Sequence, residues 1–371
     1  MRQFDFIVIG AGIAGASVAA ELSASAQVAV LEMEDRAGYH TTGRSAAAYE
    51  PNYGPPPVLA LTRAGGEFFF NPPAGFADTA LFTKRGSLVL IPNGGGSAGH
   101  DYLSDTTGAY EIGIEEMLKL VPILRRDYAS RGLYSPDTGD LDVNALHQGF
   151  LRLFKRRGGK LFVSAGTKSI SRASGNWQVS TAEGDFSAPV IINAAGAWGD
   201  KVAQMSGVAP IGLQPKRRSI GVVPLTGYPD FMSWPFMVDL QETWYAKPQS
   251  GKLLVSPADE TPMEPHDAYA DEETLAGGIE RFMQATTVEV TRLEHSWGGL
   301  RTFSPDGAPV VGFDPTAEGF FWLVGQGGYG IMTSPGLSRL AAALACHKPV
   351  PEDILAQRLQ LDEVSPERFR R

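Results

Sequence analysis

Apolar runs and glycine turns alternate along this chain in a readable order. Phe6-Ile7-Val8-Ile9 is apolar on both faces, which suits a strand buried inside a parallel sheet. Gly10-Ala11-Gly12-Ile13-Ala14-Gly15 follows at once, and the alanine-rich stretch from Ala16 to Ala24 predicts a helix. Gln27 to Glu32 predicts the next strand, closing on an acid. Val190 to Asn193 and Phe320 to Val324 repeat the buried-strand pattern. The first runs into Ala194-Ala195-Gly196-Ala197-Trp198. The second runs into the glycine loop Gly325 to Gly330, with a helix predicted from about Pro335 to Cys346. Leu161 to Ser164 and Trp177 to Ser180 alternate like hairpin strands around the turn Ala173 to Asn176. Ser87 to Ile91, Ser219 to Pro224, Thr243 to Ala246 and Leu253 to Ser256 predict strands of a second, mixed sheet. Strands alternating with helices predict an α/β fold.

Composition narrows the class. A length of 371 residues suits two domains, or one large core with a lid. With 32 basic and 41 acidic residues the net charge is -9, which argues against nucleic acid as a partner. A single cysteine, Cys346, excludes a disulfide within the chain and a cysteine-based metal cluster. No apolar run approaches the ~20 residues of a membrane span, and the N-terminus lacks a signal-peptide pattern. The expected location is cytoplasmic, with peripheral membrane contact left open. The 43 glycines are an excess, about 12% against a usual ~7%. Asn93 to Gly99 reads as a flexible connector, and Lys155-Arg156-Arg157 as the basic end of a helix.

The first glycines carry chemistry. Gly10 permits a tight turn, Gly12 lets a pyrophosphate approach the backbone, and Gly15 lets helix and strand pack closely. The helix start at Ile13 and Ala14 offers free N–H groups to phosphate. Glu32, 22 residues after Gly10, stands where a carboxylate meets ribose hydroxyls, and it disfavours a 2′-phosphate.

Several segments carry a resemblance. Gly38-Tyr39-His40-Thr41-Thr42-Gly43-Arg44-Ser45-Ala46-Ala47, the strand end at Ala195-Gly196, Gly299-Leu300-Arg301-Thr302-Phe303 and Gly327-Gly328-Tyr329-Gly330-Ile331 resemble the D-amino-acid oxidase-like (DAO) family of FAD-dependent oxidoreductases. The likeness is greatest to its D-arginine-oxidising branch. It implies a glutathione-reductase-like FAD-binding Rossmann domain built from residues 1–49, 140–205 and 298–371. A second, mixed-sheet substrate-binding domain would come from 50–139 and 206–297. It implies non-covalent FAD along Gly10, Gly12, Ile13, Ala14, Gly15, Glu32 and Met33, then Thr41 to Ala47. Thr167, Ala195, Gly196, Trp198, Arg301, Gly327, Gly328, Tyr329, Gly330, Ile331 and Met332 complete the set. His40 is the nearest candidate for a covalent link, and Cys346 is poorly placed for one.

The same resemblance implies a small-molecule amino-acid substrate. Arg218 and Arg301 would clamp its carboxylate, with Tyr53 and Tyr245 donating phenolic hydrogen bonds and the Gly328 carbonyl accepting from the α-amine. Taken alone, Arg218 in a Lys-Arg-Arg run suits a solvated face, and Tyr245 in a strand suits a core. Arg301, between Leu300 and Phe303, suits a buried cation awaiting an anion. In the arginine-oxidising branch a carboxylate reads the guanidinium. Ser87 stands at that position here and Ala48 replaces a histidine, so the expected substrate is a neutral, apolar D-amino acid or related amine acid. The implied reaction moves a hydride from Cα to flavin N5, and the imino acid hydrolyses to a 2-oxo acid and ammonia. The electron acceptor would be a quinone or another acceptor, with oxygen as the alternative. Leu254 stands where some oxidases keep a lysine over the flavin, although Lys252 is close. Rival readings are an L-2-hydroxy-acid or secondary-amine oxidoreductase of the same superfamily and a FAD-fold protein that only binds.

Overall fold

The structure is a computed structural model that describes residues 1–94 and 108–370. The connector 93–99 therefore lies outside the described residues beyond position 94. A six-stranded sheet holds, in spatial order, Lys160–Phe162, Val28–Leu31, Phe6–Ile9, Val190–Asn193, Phe320–Val324 and Val310–Phe313. All its pairings are parallel except the last. The period-two rule divides its side chains between two cores. Val8, Val30, Ile192 and Phe321 pack with Val18 and Leu340 of helices Ile13–Leu22 and Gly330–Ala345. Ile7, Ala29, Ile191 and Phe320 pack on the other face with Val179 and Phe186. Those two come from a four-stranded sheet that includes Thr167–Ala173, Asn176–Thr181 and Gly184–Ala188.

Two expected elements shift. The stretch expected from Leu161 to Ser164 is not a hairpin strand. Lys160–Phe162 instead extends the parallel sheet beside Val28–Leu31, and the hairpin partner of Asn176–Thr181 is Thr167–Ala173. Alternation alone does not say which neighbour a short strand will find. The C-terminal helix begins at Gly330, with Pro335 inside it. Proline has no N–H for the helical bond to Ile331, and the Ser334 hydroxyl donates to that carbonyl at 2.8 Å.

The larger sheet includes Ser87–Pro92, Phe236–Asp239, Tyr245–Gln249, Lys252–Ser256, Gln214–Val223 and His295–Phe303 in that spatial order. His295–Phe303 runs across the expected boundary at residue 298. It belongs to the large sheet, while its C-terminal half faces the space between the two sheets. A small sheet joins Ala48–Tyr49, Gly139–Leu141 and Phe82–Lys84. Among the described residues no helix is long and apolar enough to cross a membrane.

Candidate active site

The C-terminal ends of the parallel strands open into a cleft of about 390 Å³. This is the edge at which open α/β sheets bind ligands. Gly10 turns the chain here at φ +102°, a left-handed conformation that favours glycine. A Cβ on Gly15 would lie 1.9 Å from the Gly10 carbonyl oxygen, so the helix packs against the turn only as glycine. Gly12, at the N-cap, has no side chain to cap the helix. Thr42 does so from 29 residues away, its Oγ1 accepting from the Ile13 N–H at 2.9 Å. Glu32 is buried, and its carboxylate accepts from the N–H groups of Ala11 (2.8 Å) and Glu34 (3.0 Å). The acid is thereby fixed at the cleft wall.

Most expected cofactor residues line this cleft: Gly10, Gly12, Ile13, Ala14, Glu32, Met33, Thr41, Thr42, Arg44, Ser45, Ala46, Thr167, Ala195, Gly196, Trp198, Arg301, Gly327, Gly328, Gly330 and Ile331. Gly15, Gly43 and Tyr329 do not line it. Gly15 and Gly43 support backbone packing, and the Tyr329 ring lies against Tyr53 and Phe303. Ala47 and Met332 line a second cavity instead. Arg44 turns to the loop 267–268, where its guanidinium donates to the Asp267 carboxylate and to the Ala268 carbonyl at 2.7 Å. His40 pairs with Glu34 at 2.9 Å and packs on Trp198.

Residues to which the sequence reading gave no role also stand here. Thr302 Oγ1 and Gln326 Nε2 are buried without a hydrogen-bond partner, and both residues line the cleft. An apolar cleft with a glycine turn at one end and unpartnered polar groups at the other fits a dinucleotide joined to a heteroaromatic ring.

A second cavity of about 150 Å³ adjoins the first and shares Ser45, Ala46, Arg218, Tyr245, Arg301 and Gly328 with it. Arg218 and Arg301 come from neighbouring antiparallel strands. Arg218 pairs with Gly299 and Arg301 with Lys216, so both arginines point to one face of the sheet. Arg218 Nε is buried without a partner, and its Nη2 reaches Glu260 at 3.1 Å. Among the described residues Arg301 has no hydrogen bond or ion pair. Burial first, then the like charge of Arg301, push Arg218 below its ordinary pKa. A buried cation beside a half-buried one favours an anion between them. Tyr245 stacks on Phe236, with the Arg218 guanidinium 5.9 Å from its ring centre. The Tyr53 hydroxyl donates to Glu242 at 3.1 Å, and burial raises its pKa, so it remains a donor.

Ser87 and Ala48 both line this second cavity. A residue to which the sequence reading gave no role stands beside Ser87. Glu50 lines the same cavity, and Ser87 Oγ donates to its Oε2 at 2.8 Å. The pocket therefore has an acid, delivered from the end of strand Ala48–Tyr49 rather than from position 87. Burial raises the Glu50 pKa, opposed by the bonds from Ser87 and the Asn52 N–H. The only sequence signal was an acid two residues past Ala48, in a stretch that reads as loop.

Comparison with known proteins agrees with this geometry. The profile of a family described as DAO, FAD dependent oxidoreductase, matches residues 5–344. Glycine oxidase of Geobacillus kaustophilus is 27% identical over 250 residues, covering 64% of this chain and 62% of that one. Human mitochondrial dimethylglycine dehydrogenase is 23% identical over 282 residues, covering 71% of this chain and 32% of that one. This chain thus matches about a third of the human enzyme's length and less than two thirds of the bacterial one's. The crystal structure of L-proline dehydrogenase from P. horikoshii superposes with a TM-score of 0.85 at 19% identity, over 100% of this chain and 98% of that one. The chain belongs to the DAO family of FAD-dependent oxidoreductases.

Proposed function

We propose that this enzyme oxidises the Cα–N bond of an amino acid, a D-amino acid first, giving an imino acid that hydrolyses to a 2-oxo acid and ammonia. The observation that carries the reading is the pair Arg218 and Arg301 at the junction of the two cavities, one with an orphaned Nε and the other without a counter-ion. A substrate carboxylate supplies the missing anion, and the paired guanidinium groups fix its orientation. Tyr245 supplies a hydroxyl donor at the same place, the Tyr53 hydroxyl joins it on turning from Glu242, and the Gly328 carbonyl is available to the amine. The two positive charges disfavour an ammonium beside them, so the amine is held in its neutral form. Bound FAD supplies a hydride acceptor at its N5.

The relatives that act on glycine and dimethylglycine support a second reading, a secondary or unbranched amine acid in the same clamp. A 2-hydroxy acid is less well supported, because among the described residues no histidine lines the second cavity. As electron acceptor we propose a quinone or another carrier rather than oxygen. Leu254 is buried, and Lys252 is drawn to Glu294 at 2.8 Å. No lysine lines the second cavity.

The test is anaerobic bleaching of the flavin by a panel of D-amino acids, L-amino acids, glycine, N-methylglycine and 2-hydroxy acids. We expect a D-amino acid to bleach fastest, and Arg301→Met to lower its kcat/KM on the order of 1000-fold with FAD retained. Fastest bleaching by a 2-hydroxy acid would sink the reading. Rapid reoxidation by oxygen in stopped flow would sink the acceptor assignment.

A further inference from the structure

The second cavity carries both signs of charge. Arg218 and Arg301 stand where it meets the cofactor cleft. Glu50 stands against Ser87, with Val89, Phe236 and Val238 adding apolar wall. The groups that act on Glu50 are its own burial, the Ser87 hydroxyl and the Asn52 amide, and no cation is among them. Three other acids are paired with cations instead. Asp140 is bridged by Arg85 and Lys247, Asp259 by Arg217 and Asp314 by Arg370. An acid facing a cavity without a counter-ion is either protonated or completed by a ligand.

Position decides what Glu50 does not do. The α-amine of a clamped substrate lies within two bonds of the carboxylate. A base for that amine would therefore stand at the junction of the two cavities with the clamp arginines, whereas Glu50 lines the second cavity and not the cofactor cleft. It belongs to the side-chain end.

Resting on the amino-acid reading above, we propose that Glu50, positioned by Ser87, reads the far end of the substrate and selects side chains that end in a cation. The matching chemistry is a carboxylate at one end, an aliphatic stem along the apolar wall, and an ammonium or guanidinium at the other. A cation restores the ionised carboxylate that burial disfavours. A neutral end leaves the buried carboxylate without a counter-charge. The preference for the cation therefore weakens as pH falls and Glu50 takes up a proton. Arg85, Asp140, Tyr53 and Glu242 line the same cavity, and a Glu50 variant separates its titration from theirs.

The experiment compares lysine with norleucine, which share a stem and differ in the terminal ammonium. FAD-loaded enzyme is reduced anaerobically by each, in both enantiomers. The wild type is expected to favour lysine by a ratio of kcat/KM on the order of 100-fold. Glu50→Gln is expected to bring that ratio near one, and Ser87→Ala to lower it by a smaller factor. The ratio should fall toward acid pH in the wild type and stay flat in Glu50→Gln. The flavin spectrum reports folding in each variant, and Ser87→Ala carries the test should Glu50→Gln not fold. A wild type that favours norleucine, or a ratio that neither variant alters, overturns the inference and leaves the amino-acid reading standing. If no amino acid of any kind bleaches the flavin, that reading itself has failed.

Discussion

Arg301 is packed against glycine backbone, and that contact makes its position sensitive to a single methyl group. A Cβ on Gly328 would lie 2.8 Å from Arg301 Nη1 and 3.0 Å from its Cζ. Gly328→Ala is therefore expected to push the guanidinium out of line. A tenfold or greater fall in kcat/KM should follow, because small displacements at a positioned group are costly. Steady-state kinetics with the best substrate of the panel check this, and an unchanged kcat/KM would refute it. A second residue links the cofactor turn to acidity. His147 Nε2 donates to the Ala11 carbonyl at 2.9 Å, and burial, partly opposed by that bond, lowers its pKa. The unfolded chain binds the proton first as pH drops. Stability from this site is thus intact above the unfolded pKa of about 6.5, and it erodes below it by at most about 1.4 kcal/mol per pH unit, until the folded pKa is reached. Melting temperatures between pH 7 and 5 should show a shallower acid slope in His147→Gln than in the wild type. Equal slopes would exclude His147 as the cause.

At the scale of elements, the loop that follows Met263 acts as a clasp on the cofactor cleft. Asp267 accepts from the Tyr39 hydroxyl at 3.0 Å and from Arg44, and Arg44 also holds the carbonyls of Ala268 and Gly298. Ala268 packs with Ala197 and Leu300, with Trp198 and Met263 beside them. The clasp joins a segment of the large sheet's connections to the turn after the second Rossmann strand. Asp267→Ala is expected to speed FAD dissociation several-fold while leaving the fold intact, because the backbone contacts of Arg44 remain. Flavin release measured by recovery of its fluorescence decides the matter, and an unchanged rate would show that the clasp does not retain cofactor. Lys247 makes a comparable tie beneath the substrate cavity, donating to the carbonyls of Ala46 and Ala47 and pairing with Asp140 at 3.0 Å. Neither tie was legible in the sequence. Asp267 and Lys247 are 223 and 201 residues from the groups they hold.

For the molecule as a whole, the local patterns were sufficient wherever neighbours in sequence are neighbours in space. Phe6–Ile9, Val190–Asn193 and Phe320–Val324 were readable because a strand buried on both faces must be apolar throughout. The glycine turn was readable because its requirements, a left-handed residue and a missing Cβ, are met within six residues. Family likeness then singled out Arg218 and Arg301, which the backbone register places on one face. What the sequence could not decide is where charges from distant segments meet. Ser87 announced the loss of an acid from one position, and only the packing of Ala48–Tyr49 near Ser87–Pro92 returned one as Glu50. Burial and counter-ions belong to a place in space rather than to a position in the chain. The sequence therefore determined the cofactor and the family. Tertiary structure decided which charges line the substrate cavity and which of them are left without a partner.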